Sequence, residues 1–291
     1  MNGLLLIDKQ PDWTSNDVVA KMRGVLRERR VGHAGTLDPM ATGLLVVLVG
    51  RATRASQYAE AQRKHYLARL RLGLTTDTQD IWGRTVRERP ADISEDRLRE
   101  VLRSFTGEIA QVPPMYSAIK VNGRKLYDIA RRSGEIERQP RPITVHAIEL
   151  LGREDGDWVL DIRCSKGTYV RTLCHDIGEA LGCGGCMSAL RRLEVGAFSV
   201  DNARTVAEVE AAEDREALLI PTDRLFADRP RLTVKGAAEQ KLRCGNALRS
   251  DTAPGEYRVY AENGDFLALC RVEDGRLLTV KSFFEVETCR N

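Results

Sequence analysis

The chain has 291 residues, with 45 Lys and Arg against 42 Asp and Glu, a formal charge of +3 at pH 7. That balance excludes a polycation that binds nucleic acid through its bulk field; any nucleic-acid surface must be a local patch. The length leaves room for a large domain and a small one, and no apolar run approaches the roughly twenty residues of a membrane span or the pattern of a signal peptide.

Residues 4–7 read as a short apolar strand. Thr14, Ser15, Asn16 and Asp17 then offer N-caps to a helix on which Val18, Val19, Met22, Val25 and Leu26 share one face. Lys21, Arg23, Arg27, Arg29 and Arg30 make the other side basic. Residues 31–45 place Gly32, Gly35, Gly43, His33, Asp38 and Pro39 in one loop that runs into an apolar strand, residues 44–49. Glycines so close together let backbone approach backbone or ligand, and a buried strand holds what such a loop presents, one imidazole and one carboxylate. The spacing lacks the Gly-Lys-Ser/Thr of a phosphate-binding loop, and no G-x-G-x-x-G occurs in the chain. Taken alone, the stretch is equally a glycine-rich turn in which Asp38 caps a backbone amide.

Farther on, Tyr66, Ala68, Leu70 and Leu72 alternate with Leu67, Arg69 and Arg71 as in a half-buried strand. A polar loop, residues 76–83, carries Asp80. By itself Tyr66 reads as a core aromatic. Residues 94–105 form an amphipathic helix through Leu98, Val101, Leu102 and Phe105. After Pro113 and Pro114, the basic residues Lys120, Arg124, Lys125, Arg131, Arg132, Arg138 and Arg141 interleave with Tyr116 and Tyr127, a mixture suited to phosphate contacts and base stacking.

Residues 158–164 alternate as a strand, and Val170, Leu173, Cys174, Ile177 and Leu181 mark the next helix. Arg171 falls in its first turn, where the helix dipole disfavours a cation, which points to a carboxylate partner. Cys183 and Cys186 have zinc or redox spacing. No second ligand pair accompanies them, and they follow a helix end at Gly182, so a tight glycine turn is expected. Seven cysteines, an odd number, suit a reducing cytoplasm better than a disulfide framework. Residues 207–231 shift in composition and mark a boundary. Beyond them a short helix and strands are joined by Asn263-Gly264 and Asp274-Gly275, both signals of two-residue hairpin turns.

Residues 32–45 read G-H-x-G-T-L-D-P-x-A-x-G-x-L and resemble the catalytic motif of the bacterial tRNA pseudouridine-55 synthases, the synthase B family. Other family motifs follow in order: K-x-Y at Lys64 to Tyr66, T-x-T-x-D-x-x-G at residues 76–83, P-P-x-Y-S-A at residues 113–118 and K-G-T-Y-x-R at residues 166–171. Residues 8–15 resemble the first motif, D-K-P-x-G-x-T-S, but the proline is shifted to Pro11 and Asp12 stands where glycine is usual.

The resemblance implies an α+β (mixed α/β) fold. Residues 1–230 would form a pseudouridine synthase-type catalytic domain with a central mixed or antiparallel sheet flanked by helices, carrying a thumb-like RNA-binding insertion at about 113–142. Residues 231–291 would form a small β-rich PUA-like domain. The implied activity isomerises uridine 55 in the T-loop of tRNA to pseudouridine. It breaks the C1′–N1 bond and forms C1′–C5 without redox change, so no cofactor or metal is expected.

Implied catalytic residues are Asp38, Tyr66 and Arg171, with Arg171 pairing with the aspartate. Implied substrate-binding residues are His33, Tyr66, Asp80, Tyr169 and Leu190. The expected partner is the T-arm of tRNA, met in the cytoplasm by a monomer that needs neither membrane nor protein partner. The alternative is a non-catalytic tRNA-binding protein or RNA folding helper in which Asp38 is structural.

Overall fold

The computed structural model describes residues 1–117, 120–121, 124–125 and 136–284. A nine-stranded sheet forms its centre. In chain order its strands are β1 (Gly3–Lys9), β2 (Val31–Ala34), β3 (Thr42–Val49), β4 (Lys64–Leu72), β5 (Gly107–Gln111), β6 (Arg141–Glu154), β7 (Asp157–Cys164), β8 (Gly185–Val195) and β9 (Phe198–Ser199). They lie side by side as β1-β3-β8-β4-β7-β6-β5, with β2 also on β3 and β9 on β8. Pairing is antiparallel except between β8 and β3, which run parallel where Arg191 meets Thr42 and Arg192 meets Gly43. The sheet is therefore mixed, as expected.

The α-helices among the described residues are α1 (Ser15–Leu26), α2 (Ser56–Ala61), α3 (Glu95–Ser104), α4 (Val170–Ala180), α5 (Val206–Ala211) and α6 (Gly236–Arg243). Of the four candidate caps of α1, Thr14 serves. Its hydroxyl accepts the Asp17 N–H at 3.0 Å, and the Asp17 carboxylate accepts the Thr14 N–H at 2.8 Å, a reciprocal capping box.

β1 and β3 are almost continuously apolar because both of their faces are covered. Leu5, Ile7, Leu45, Val47 and Val49 face Val18 and Met22 of α1, Leu98 of α3 and Leu173 of α4. Their neighbours Leu4, Leu6, Leu44, Val46 and Leu48 point the other way, into a core shared with Phe226, Leu269 and Phe283. This alternation follows from the period of two along a strand.

A second sheet holds β10 (Arg231–Thr233), β11 (Leu248–Arg249), β12 (Gly255–Tyr260), β13 (Phe266–Glu273) and β14 (Arg276–Ser282), in the order β10-β12-β13-β14-β11. With α6 it encloses Leu242, Val259, Leu267, Val272 and Leu277. Asp274 and Gly275 form the expected two-residue turn: Glu273 pairs with Arg276, and φ is 50° and 66° at the turn residues. Asn263-Gly264 departs from expectation. β12 ends at Tyr260 and β13 begins at Phe266, leaving a five-residue connection, residues 261–265. The Asn263 side chain there accepts the Asp265 N–H at 3.0 Å, and the register slips at Val259 and Tyr260, so a local Asx turn replaces the tight one.

The two sheets meet at an aromatic cluster. The Phe226 ring lies 5.1 Å from Tyr58, 6.1 Å from Phe266 and 5.9 Å from Phe283. Arg54 of the first unit donates to the carbonyls of Ser282 and Phe284, and the Tyr260 hydroxyl donates to Asp223 at 2.6 Å.

Of the expected insertion, Lys120–Val121 and Arg124–Lys125 pair antiparallel. Tyr127, Arg131 and Arg132 lie outside the described residues. Arg141 and Pro142 already belong to β6, so the sheet resumes before residue 142. Cys183 and Cys186 belong to a glycine-rich turn in which Gly182 and Gly184 have φ of 80° and 77°, and both thiols are buried and free.

Gly43 joins the loop of Asp38 to β3 with φ of 96°, and a Cβ there would overlap the Arg192 carbonyl oxygen. Gly43→Ala should therefore destabilise the protein by about 3 kcal/mol or more, read as a lower urea midpoint at unchanged slope. An unchanged midpoint would contradict this packing.

Candidate active site

Asp38 lies in the connection between β2 and β3, and three buried side chains hold that connection. Ser15 donates its hydroxyl to the Leu37 carbonyl at 3.0 Å and accepts the Leu37 N–H at 2.9 Å. Lys9, fully buried at the end of β1, donates Nζ to the carbonyls of Gln10, Trp13 and Pro39 at 2.9, 2.7 and 3.2 Å. Arg192, buried on β8, donates Nε to Leu44 O at 2.7 Å and Nη2 to Gly35 O at 3.1 Å. Among the described residues neither cation stands at ion-pair distance from a carboxylate; carbonyl oxygens satisfy them instead. Burial pushes the Lys9 ammonium down to about 8, against the opposing pull of Asp38.

Asp12, where the first motif usually has glycine, adopts φ of 67° and donates its N–H to the Pro39 carbonyl at 3.0 Å. The left-handed conformation is kept by a residue type that tolerates it. The atypical segment thus still braces the loop.

Arg171 enters from the opposite side. Tyr169, the N-cap of α4, makes no side-chain cap bond. Buried Gln111 on β5 grips its backbone instead, accepting the Tyr169 N–H at 2.9 Å and donating to its carbonyl at 3.1 Å. The next turn carries Arg171, only 6% exposed. Its Nε lies 3.5 Å from Asp38 Oδ2, its Nη1 lies 3.7 Å from Asp80 Oδ2, and its Nη2 donates to the Tyr116 carbonyl. The carboxylate partner inferred from the helix position is thus a pair of carboxylates, which offsets the unfavourable dipole.

The two acids differ in setting. The Asp38 side chain is 32% exposed, whereas that of Asp80 is 9% exposed. Asp80 Oδ1 accepts from Thr78 Oγ1 at 2.8 Å and from the Trp82 N–H at 3.1 Å. Burial raises its carboxyl above the ordinary range, opposed by Thr78, Arg171 and the Trp82 amide. Asp80, expected at the RNA, stands behind Arg171.

Tyr66 on β4 is 8% exposed, and its hydroxyl lies near the Arg192 guanidinium. Burial raises its phenol, with Asp38 close enough to add to the shift, so the O–H stays protonated. Burial likewise raises the Tyr169 phenol, which feels both Arg171 and Asp38. His33 on β2 lies opposite Val47. Its Nδ1 is buried without a hydrogen-bond partner among the described residues, and burial, then the charge of Arg192, push the imidazole below 6.5. Leu190 is buried on β8, two residues before Arg192 and on the same strand face.

Asp38, Tyr66, Asp80, Tyr169 and Arg171 are thereby brought together, and His33 joins them through Arg192. Sequence reasoning does not single out Arg192, Gln111 or the bracing role of Ser15. For Arg192 a signal exists: counting by two from Leu190 along the strand turns it inward.

Residues 23–170 match the family model described as TruB family pseudouridylate synthase (N terminal domain), and residues 171–227 match that described as tRNA pseudouridylate synthase B C-terminal domain. The first match contains Asp38, Tyr66, Asp80 and Tyr169, and the second begins at Arg171. The chain is similar to tRNA pseudouridine synthase B of Alkaliphilus oremlandii, 46% identical over 251 residues that cover 86% of this chain and 84% of that one. It is 44% identical over 284 residues to tRNA pseudouridine synthase B of Aromatoleum aromaticum, covering 97% and 92%. Among solved structures it is similar to a chain in the crystal structure of a Cbf5-Nop10-Gar1 complex, with a TM-score of 0.74, 26% identity and coverage of 98% of this chain and 85% of that one.

His33 supplies a test of this geometry. Unfolded, its imidazole titrates near 6.5; folded, it titrates lower. Its contribution to stability is full above the unfolded value and is lost as pH falls through the folded one. Between about pH 7 and pH 5 the urea midpoint of the wild type should fall more than that of His33→Gln. Equal falls would contradict the setting of a half-buried ring whose Nδ1 is buried and unpartnered among the described residues.

Proposed function

We propose that this chain, which belongs to the TruB family of pseudouridylate synthases, isomerises uridine 55 in the T-loop of tRNA with Asp38 as its reacting carboxylate. The enzyme is a tRNA pseudouridine synthase. The observation that carries the role of Asp38 is its pairing with Arg171: a partly open carboxylate is held 3.5 Å from a buried guanidinium whose other contacts are all internal. The open member of such a pair is the one a substrate can reach.

The chemistry rearranges one nucleotide. The C1′–N1 bond breaks, the uracil turns, C1′–C5 forms, the proton on C5 departs and N1 gains one. Asp38 supplies the nucleophile or base for these steps. Tyr66, kept protonated, stacks on the uracil and offers its O–H where a proton must pass. Tyr169 and Leu190 flank the base. Asp80 holds Arg171 in position from behind. The target uridine must leave its stack at a cost of a few kcal/mol, and His33, with a neutral imidazole, holds the RNA in that splayed form.

The substrate is the T-arm of tRNA, and the protein acts on it as a monomer without a protein partner, in the cytoplasm. No helix among the described residues is long and apolar enough to cross a membrane. Residues 1–230 serve as the catalytic domain, with the basic insertion closing on the RNA. The sheet beyond residue 230 serves as a PUA-like RNA-binding module.

The test uses an unmodified tRNA transcript tritiated at uracil C5, incubated with purified protein alone. Wild type should release tritium and leave a single T-loop stop after carbodiimide treatment and primer extension. Asp38→Asn should bind tRNA but turn over at least about 1000-fold more slowly. His33→Ala should lose far less, and equal losses would refute the division of labour between the two.

Arg171→Lys should lower kcat by about 100-fold at unchanged tRNA affinity. One ammonium cannot meet Asp38, Asp80 and the Tyr116 carbonyl together. A wild-type rate in this variant would refute the pairing.

A further inference from the structure

The loop that carries Asp80 also carries Trp82, the only aromatic among the large apolar side chains exposed on the described surface. The residue is 56% exposed. Trp82 lies between the strands Leu74–Thr76 and Thr85–Glu88, which pair as a hairpin. A single exposed aliphatic is ordinary, but an exposed indole beside a reaction centre calls for a reason.

The mount of this indole is rigid. The Trp82 backbone N–H donates to Asp80 Oδ1 at 3.1 Å, while the other oxygen of that carboxylate faces Arg171. The Ile81 N–H donates to Met187 O at 2.9 Å, and the Met187 N–H donates to Gln79 O at 3.1 Å, so β8 clamps the loop on both sides of Asp80. Gln79 Oε1 accepts from Thr172 Oγ1 of α4 at 2.6 Å. Next in the chain, Gly83 packs so closely that a Cβ would overlap Thr78 Oγ1. All of these bonds come from backbone or from other side chains, so the indole itself makes none of them.

Its surroundings select the class of ligand. Arg84, with a side chain 91% exposed, and exposed Arg87 stand on the same hairpin. Apart from Trp82, only Val86 there is both large, apolar and exposed, too little for the apolar centre of a protein interface. A flat aromatic face with guanidinium groups nearby suits an unpaired nucleobase and its phosphates.

We propose that Trp82 is a stacking platform for a nucleobase of the tRNA adjoining the uridine that is isomerised. This rests on the reading of the site as a tRNA pseudouridine synthase and extends the RNA contact to a residue outside the motif positions.

Intrinsic fluorescence tests it, because the other two tryptophans are less open: Trp13 is half-buried against the main core, and Trp158 is only 5% exposed beneath the Arg153 guanidinium. Adding unmodified tRNA should change the emission of the wild type and leave that of Trp82→Phe unchanged, although Trp82→Phe still binds. Trp82→Ala should raise KM by roughly 10-fold or more, with a single-turnover rate at saturating enzyme within about 3-fold of wild type. Trp82→Phe should restore KM.

A wild-type KM in Trp82→Ala, or an emission change that survives in Trp82→Phe, would overturn the proposal. Failure of the underlying reading looks different. If tRNA changes the emission through Trp82 but the wild type releases no tritium, the platform stands and the isomerase reading falls.

Discussion

Asp38 must meet a buried guanidinium without itself becoming buried, and much of the architecture around the large sheet can be traced to that constraint. Arg171 sits at the start of a helix, a poor place for a cation, and its charge is drawn out of water. Such a charge is tolerable only when its remaining donors are engaged. Asp80 and the Tyr116 carbonyl take them, which leaves Nε facing Asp38. The loop on the other side cannot be soft, because a drift of about one ångström would spoil an alignment of this kind. Lys9 and Arg192 stiffen it through carbonyl oxygens. Carbonyl partners leave both positive charges unneutralised, so they add to the field at Asp38 while doing structural work.

Much of this could be read from residues alone, for identifiable reasons. Alternation found β4 and β7, and capping chemistry found the start of α1. The mismatch between Arg171 and the helix dipole pointed to a carboxylate. The resemblance added which one and supplied the family, which the comparisons bear out.

What stayed hidden was hidden physically. Arg192 looks like one of two interchangeable arginines until the pleat of β8 decides that Arg191 faces Asp8 and Arg192 turns inward. Gln111 is an unremarkable polar residue at a strand end, and its grip on Tyr169 spans 58 positions of sequence. Asp80 stands in the motif that implies an RNA contact, but local spacing cannot reveal that Arg171 would come between it and Asp38. The width of the loop at Asn263 turned on a side-chain bond that dipeptide patterns do not encode.

The junction between the two sheets has a consequence for binding. Phe226 and Phe283 lie in the same core as Leu4, Leu44 and Leu48, with Phe266 packed against it, so the small sheet and the large one share apolar packing. Swinging it away would expose aromatic surface and strand Arg54. A hinged clamp spends conformational freedom each time it closes, and that loss is subtracted from affinity. Here the two sheets are set in relation to each other before any ligand arrives, and the freedom was given up once, during folding.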